Sequence, residues 1–396
     1  MVPLGPGTDL AGIVAMRFGL RASVAACCVG LSIAAAAGSE IDSLLAKLRA
    51  VGPDGVGHRE ATRAWGELAR ADAAQLPQIL AGLDGAGPLA ANWIRTAVDA
   101  IAERELQHGR PLPAAELEKF VLDKGRDPRA RRLAYEWLLR VDPSAKDRLI
   151  PGMLDDPSRE MRRDAVARLI DQAARHAEAK RADEATAVYR QALAAARERD
   201  QIDLVARRLR GLGQKVDLVR QLGYVMRWKL IGPFEDVRGK GFDAVYPPEQ
   251  ELRFDAEYQG NKGPVRWKDF VCTDDYGTVD LNKGLVEVKE AVGYAATEFY
   301  AAAGREVELR FTSDNALKIW VNGALLASYK IYHAGTQPDQ YINRVSLRSG
   351  RNVILVKVGQ NELTQDWARA WDFHLRVVDL GGAPVLSAEE KKGIGD

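Results

Sequence analysis

The hydrophobic period of the chain changes once, just after Gly223, and that change limits the folds open to it. From Glu40 to about Leu222, apolar residues recur at helical spacing in segments rich in Ala, Leu, Arg and Glu. The punctuations "VGPDGVG", "GAGP" and "DDPS" cut this half into helices of about ten to fifteen residues. After Gly223 the pattern alternates. "YVMRWKLIGPF", "VRWKDFVC", "GYAATEFYA", "EVELRFTS", "ALKIWVNG", "ALLASY", "NRVSLRSG", "NVILVKVG" and "WDFHLRVVD" follow one another, separated by Gly, Asn, Asp and Pro. About eight or nine short strands with no intervening helix predict an antiparallel β-sandwich of jelly-roll type.

At 396 residues the chain is too long for one typical core. The expected fold class is therefore multi-domain α and β. A helical domain is expected at 39–222, a β-sandwich at 223–382 and a flexible tail at 383–396, the two domains being separable near Gly223. The border "GLGQKVDLVRQLG" is too short and too apolar for a free linker, so the two are expected to touch.

Lys and Arg number 56 against 55 Asp and Glu, a formal charge of +1. That balance lacks the basic footprint of a nucleic-acid or anionic-membrane partner. Residues 1–38 read as an N-terminal extension and an export signal. Arg17 and Arg21 precede an apolar stretch from Ala22 to Ala34, and Ala35-Ala36-Ala37 offers an A-x-A cleavage site. The stretch is too short for a membrane span. "VAAC" ending at Cys27 leaves a lipid anchor as the alternative to cleavage near Ala37. An exported mature chain would keep Cys272 alone, with no internal disulfide.

A repeat runs through the helical half. "RAWGEL", "TAVDAI", "LAYEWL" and "DAVARL" each carry a small residue, a larger apolar one and a further apolar residue three positions on. The anchors are Ala64/Trp65/Leu68, Ala97/Val98/Ile101, Ala134/Tyr135/Leu138 and Ala165/Val166/Leu169, which lie 33, 37 and 31 residues apart. "DPRARRLAYEWLL" and "DPSREMRRDAVARLI" are the two nearest copies. The pattern resembles the shorter kind of HEAT repeat, which implies an α-solenoid and a surface for a protein partner. "RADEATAVYRQALAAARERD" resembles a tetratricopeptide helix. The residues alone also fit an irregular helical bundle.

Catalytic devices are missing. The chain has no G-x-S-x-G, no H-E-x-x-H, no P-loop and no G-x-G-x-x-G after a strand. His58, His108, His176, His333 and His374 are not at metal-ligand spacing and read as surface or satisfied polar residues. His374 alternates with Phe373 and Leu375 and is expected on a polar face, while Trp371, Phe373 and Leu375 are expected in the core. Cys272 ends a strand-like run and reads as a small buried hydrophobe. No catalytic residue, metal ligand or cofactor is expected.

In "TSDNALKIWVNGALLASY", Leu317, Ile319 and Val321 share one face, with Trp320 on the other. Asn322-Gly323 suits a two-residue type I′ turn, which pairs Val321 with Ala324 and Trp320 with Leu325. Followed by "VSLRSGRNVILVKVGQ", this stretch resembles the PA14-like module. There a strand–"SDDG"–strand–"DG" hairpin precedes a "G-x-N/H" strand. From "WKLIGPF" to "WDFHLRVVD" the chain is also similar to sandwich modules of exported planctomycete-type bacterial proteins. The PA14-like and galactose-binding-like resemblance implies glycan binding at one end of the sandwich, with Asp314 and Asn315 on the lip. In calcium-dependent PA14 lectins two adjacent aspartates hold the metal. Here Asn315 replaces the second, so weak calcium affinity is expected. Asp274, Asp275, Tyr276, Asn361, Asp366 and Trp367 supply further loop acceptors and aromatic faces of the kind sugar sites use. Loops carry such residues for turn chemistry as well.

The expected function is that of an exported, non-catalytic binding protein for a glycan or cell-surface polysaccharide. A structural or assembly protein is the alternative, and an uncharacterised hydrolase the third reading.

Overall fold

The structure is a computed structural model and describes residues 39–333 and 335–388. The expected signal segment lies outside the described residues. The chain divides into two compact units, residues 1–162 and 163–396. A helical region is followed by a region of antiparallel sheets, and the helices after Arg163 belong to the same unit as the sheets.

The first unit holds α1 (39–49), α2 (His58–Leu68), α3 (Leu76–Ala81), α4 (Pro88–Gln107), α5 (Ala114–Leu122), α6 (Pro128–Val141) and α7 (Ala145–Leu149). Prolines at the first turn open α4 and α6, where the missing N–H has no helical partner anyway. Asp127 caps α6 by accepting Arg129 N at 2.8 Å. The small anchors Ala64, Ala97 and Ala134 are buried, as are Leu68, Ile101 and Leu138, so one face of each helix faces the core. α8 (Arg159–Glu178) crosses the division. The second unit continues with α9 (Ala182–Ala195), α10 (Arg199–Gly211) and α11 (Leu218–Leu222).

Gly223 ends α11 at φ 80° and feeds the chain into the sheets. A Cβ there would stand 2.7 Å from the Val377 carbonyl oxygen, so this position needs glycine for both its conformation and its room.

Twelve strands follow among the described residues: β1 (Arg227–Glu235), β2 (Glu257–Gly260), β3 (Gly263–Arg266), β4 (Lys268–Val271), β5 (Val279–Asp280), β6 (Ala291–Ala301), β7 (Arg305–Thr312), β8 (Leu317–Val321), β9 (Ala324–Tyr329), β10 (Tyr341–Leu347), β11 (Gly350–Gln360) and β12 (Asp372–Val378). One sheet has the order β4-β1-β6-β11-β8-β9, a second β10-β7-β12-β5, and β2 pairs with β3 alone. Ile319 and Val356 of the first sheet share a core with Phe311 and Leu375 of the second. Trp371, Phe373 and Leu375 are no more than 1% exposed, as alternation predicts. Each such side chain contributes about 1.5–3 kcal/mol by leaving water.

The hairpin follows its spacing next to the turn, and beyond Trp320 a bulge shifts the register so that Ile319 faces Ala327. Asn322 and Gly323 have φ of 52° and 83°, and Trp320 faces Leu325 while Val321 faces Ala324.

The outer face of the six-stranded sheet is also covered. Tyr246, Phe254 and Trp267 pack over Tyr294, Leu355 and Trp320. They come from a segment containing β2, β3 and two one-turn helices, α12 (Lys240–Asp243) and α13 (Pro247–Gln250). With α14 (Leu281–Gly284), these correct the expectation of strands with no helix between them. Four residues are too few to display a 3.6-residue period. Residues 383–388 run back along β12, where Val385 N donates to Val377 O at 2.9 Å. The rest of the expected tail lies outside the described residues.

Under the cover, Lys357 is fully buried. Its Nζ donates to Ala244 O (2.6 Å) and Glu249 Oε1 (2.7 Å), and lies 5.2 Å from the Tyr246 ring centroid. Burial pulls its ammonium pKa down, against the pull of Glu249. Between the lowered folded value and the ordinary 10.5 the unfolded chain therefore binds more protons, so this group makes stability rise with pH across that window. Urea denaturation from neutral pH to about pH 10 should show a smaller rise, or a steeper fall, in Lys357→Met than in the native chain. Parallel pH profiles would refute the assignment.

Candidate functional site

His333 is the hub of the candidate site. It stands after β9 in a loop that returns to β10, at φ 57°. Its backbone N–H donates to Asp314 O at 2.7 Å. Its Nδ1 lies 3.3 Å from Asp314 Oδ2, and its Nε2 lies 2.9 Å from Asn361 Nδ2. Asn361 Oδ1 accepts Leu363 N at 3.2 Å, which fixes the amide with its NH₂ toward the ring. Nε2 must then accept and Nδ1 must carry the hydrogen donated to Asp314. Asp314 Oδ1 accepts a further bond from Gly335 N at 3.0 Å. Three short segments are thus tied at one point.

Trp367 sits on this hub. Its ring meets His333 edge-on, with centroids 4.8 Å apart and an interplanar angle of 87°. It is 60% exposed. Beside it the Asp366 side chain is 94% exposed and among the described residues pairs only with Arg369, at 3.2 Å. An open indole next to a solvated carboxylate can stack on an apolar ring face and accept hydroxyl hydrogens.

Of the residues singled out in the sequence, Asp314, Asn361, Asp366 and Trp367 fall in this cluster. Asp314 and Asn361 hold it from beneath, and Asp366 and Trp367 face water. Asn315 is 1% exposed and lies inside rather than on a lip. Its Nδ2 donates to Gln360 Oε1 and its Oδ1 accepts Asp372 N, both at 3.2 Å, so it ties β8 to β11 and β12.

Asp274, Asp275 and Tyr276 are engaged elsewhere. Asp274 closes its own turn by accepting Tyr276 N (2.8 Å) and Thr278 N (3.1 Å). Asp275 pairs with Arg210 of α10 at 2.9 Å. The Tyr276 hydroxyl donates to Asp203 at 3.3 Å, and Arg199 covers its ring at 4.3 Å. These contacts join α10 to the sheets within the second unit.

His333 is a satisfied polar residue, as expected, but its place at the hub is not legible in the sequence, because its partners lie 19 and 28 residues away. Its only local signal is a place in the Gly- and Pro-containing loop "YHAGTQP". His374 is half-buried on β12, where its Nδ1 donates to Tyr276 O at 3.1 Å. Cys272 is 5% exposed, and burial pushes its thiol up to about 12, far from a nucleophilic thiolate at neutral pH.

No protein-family model matches the chain, and no curated protein matches it significantly. Among solved structures, β-glucosidase from Kluyveromyces marxianus in complex with glucose is 11% identical at a TM-score of 0.25, over 41% of this chain and 17% of that one. Its selenomethionine-labelled form is 10% identical at 0.26, over 46% and 22%. The GH31 α-xylosidase of Xanthomonas citri is 11% identical at 0.20, over 38% and 16%. The matched part spans less than a quarter of each of those proteins, and likeness at this level carries no argument about activity.

Proposed function

We propose that the chain is a non-catalytic binding protein. In this reading the β region is a PA14-like sandwich that holds a glycan or cell-surface polysaccharide at Asp366 and Trp367. Its HEAT-like helical repeats form a scaffold for a protein partner, and the mature protein is exported. The supporting observation is the 60% exposed Trp367, gripped at its edge by a His333 that is itself fixed from both sides. A rigid aromatic platform loses little entropy on stacking.

A glycan-array screen of the full chain, with and without EDTA, tests this reading. Trp367→Ala and Asp366→Asn should each weaken binding about tenfold or more, by removing a central contact. Both side chains face water, so melting temperatures should stay unchanged. Unaltered affinity in both variants would sink the proposal. EDTA should change affinity little, since the Asn315 oxygen is already taken by Asp372 N.

The reading as an assembly protein draws on the Arg210–Asp275 and Asp203–Tyr276 contacts, by which the sheets already dock a helix. A blank glycan array would favour it.

A further inference from the structure

Both sheets end in an unpaired strand on the same flank. β9 closes one side of the six-stranded sheet, and β10 closes one side of the four-stranded sheet. The two strands lie side by side there. The Tyr329 and Tyr341 rings stack with centroids 4.0 Å apart, and the Tyr329 hydroxyl donates to Asn343 Oδ1 at 3.2 Å. Among the described residues, no hydrogen bond reaches the backbone of β9 except from β8, or that of β10 except from β7.

The usual guards of a sheet edge are missing. Neither strand contains proline, and Arg344 is the one charged residue in the two. β10 pairs with β7 over all seven of its residues without a bulge. Leu325 and Ile342 are 56% and 47% exposed on the outer faces. Leu326, Tyr329, Tyr341 and Val345 are half-buried along the seam between the sheets. The described C-terminal residues run elsewhere. Pro384 pairs with Val378 on the side of β12 away from β7, and β7 stands between β12 and β10.

We propose that this flank is the interface between two copies of the chain. A two-fold axis normal to the sheets sets β10 antiparallel to β10 of the second copy and β9 to its β9, so that both sheets run on through the dimer. An extended peptide pairs with one open edge only. A second copy presents two edges at the same separation, and that match selects it. Pairing centred on Asn343 keeps Arg344 from facing itself. Arg344 then meets Ile342 of the second copy, and Tyr341 meets its Val345.

Strands of six and seven residues extend about 20–24 Å, and two sheets about 10 Å apart span roughly 20 Å with their outer side chains. The pair therefore buries on the order of 1,000 Å² in all, the low end for a specific interface, and a Kd of micromolar order is expected. The interface uses neither Asp366 nor Trp367 and does not depend on the glycan reading.

Sedimentation velocity of the full chain from about 1 to 100 μM should show a monomer–dimer equilibrium that stops at the dimer, since a two-fold contact closes. Ile342→Lys sets a second cation against Arg344 and should weaken the dimer about tenfold or more. Ile342→Glu supplies Arg344 with a carboxylate and should keep or tighten it. Position 342 is exposed, so both variants should melt like the native chain when diluted to monomers.

Hydrogen exchange gives an independent reading. The β10 amides that point away from β7 should exchange quickly in dilute protein and slow as concentration rises. A chain that stays monomeric, a dimer that responds alike to Lys and Glu at position 342, or edge amides already protected in the monomer overturns the proposal. Oligomers that grow past the dimer overturn it too, because the contact is then head-to-tail.

Discussion

Asp339→Ala should lower the stability of the second unit by about 3–5 kcal/mol. Asp339 accepts Arg376 Nε at 2.7 Å and Nη2 at 2.5 Å, and Arg310 Nη1 at 3.2 Å. Arg376 is 2% exposed and also donates to Leu222 O, the last residue of α11, at 3.1 Å. Arg310 keeps Glu308 at 2.8 Å, but Arg376 has no second carboxylate among its hydrogen-bond partners. Truncating Asp339 therefore strands a buried guanidinium, and that stranding dominates the cost. Asp339 also sits at φ 55°, which Asn tolerates better than Ala. Asp339→Asn thus separates charge from backbone and should retain most of the loss. Urea denaturation measures it, and a change below about 1 kcal/mol in both variants would refute the argument.

The same pair has a pH signature. Burial pushes the Asp339 carboxyl up, but hydrogen bonds and charge from Arg376 and Arg310 outweigh it, and the net displacement is down. A lowered carboxylate stabilises the fold fully above the unfolded value near 3.8 and loses that contribution as pH falls through the folded value. The contribution should be missing from acid denaturation of Asp339→Asn. In the proposed glycan reading, Asp339 also closes the loop that carries His333, so loosening it should weaken glycan binding without touching Trp367.

Most of the hairpin was legible in the sequence because what sets it is local. A two-residue side-chain period and one Asn-Gly pair decide the faces of β8, the turn and the two pairs nearest it, whereas the bulge that shifts Ile319 to Ala327 has no such local signal. The change at Gly223 was legible for the same reason, although α9–α11 group with the sheets rather than with the helices before them. Packing partners do not follow from periodicity. Alternation marks Lys357 as polar-facing, yet a covering segment more than a hundred residues earlier in the chain encloses it. Asp314 and Asn315 are chemically similar neighbours in one loop, but one caps a histidine loop and the other is sealed inside. The difference depends on Asp372, Gln360 and His333, which the turn itself does not specify.

Asp156→Ala should cost the first unit about 3–5 kcal/mol, the largest single loss expected there. "DDPS" reads as a break between helices. In the fold Asp156 and Arg131 are both fully buried and meet through two parallel bonds of 2.8 Å. Arg131 Nε also donates to Val121 O at 2.7 Å, and Asp156 Oδ1 accepts Ser158 N at 2.8 Å. The pair thus links the end of α5, the body of α6 and the turn before α8. Removing the carboxylate leaves the buried Arg131 guanidinium with the Val121 carbonyl alone of these partners, and with the Arg162 guanidinium nearby on the Asp156 carbonyl at 2.7 Å. Removing both charges is another matter, since a buried pair replaced by apolar residues of like volume is often neutral. Arg131→Met with Asp156→Leu should therefore recover much of the loss, although Ser158 N would forfeit its acceptor, at about 1 kcal/mol. A double-mutant cycle read by urea denaturation, with helical circular dichroism as the signal, should give a coupling energy of about 2 kcal/mol or more. If the single and double variants prove additive, or if Asp156→Ala melts with the native chain, Arg131 finds water or another acceptor, and the pair does not hold these helices together.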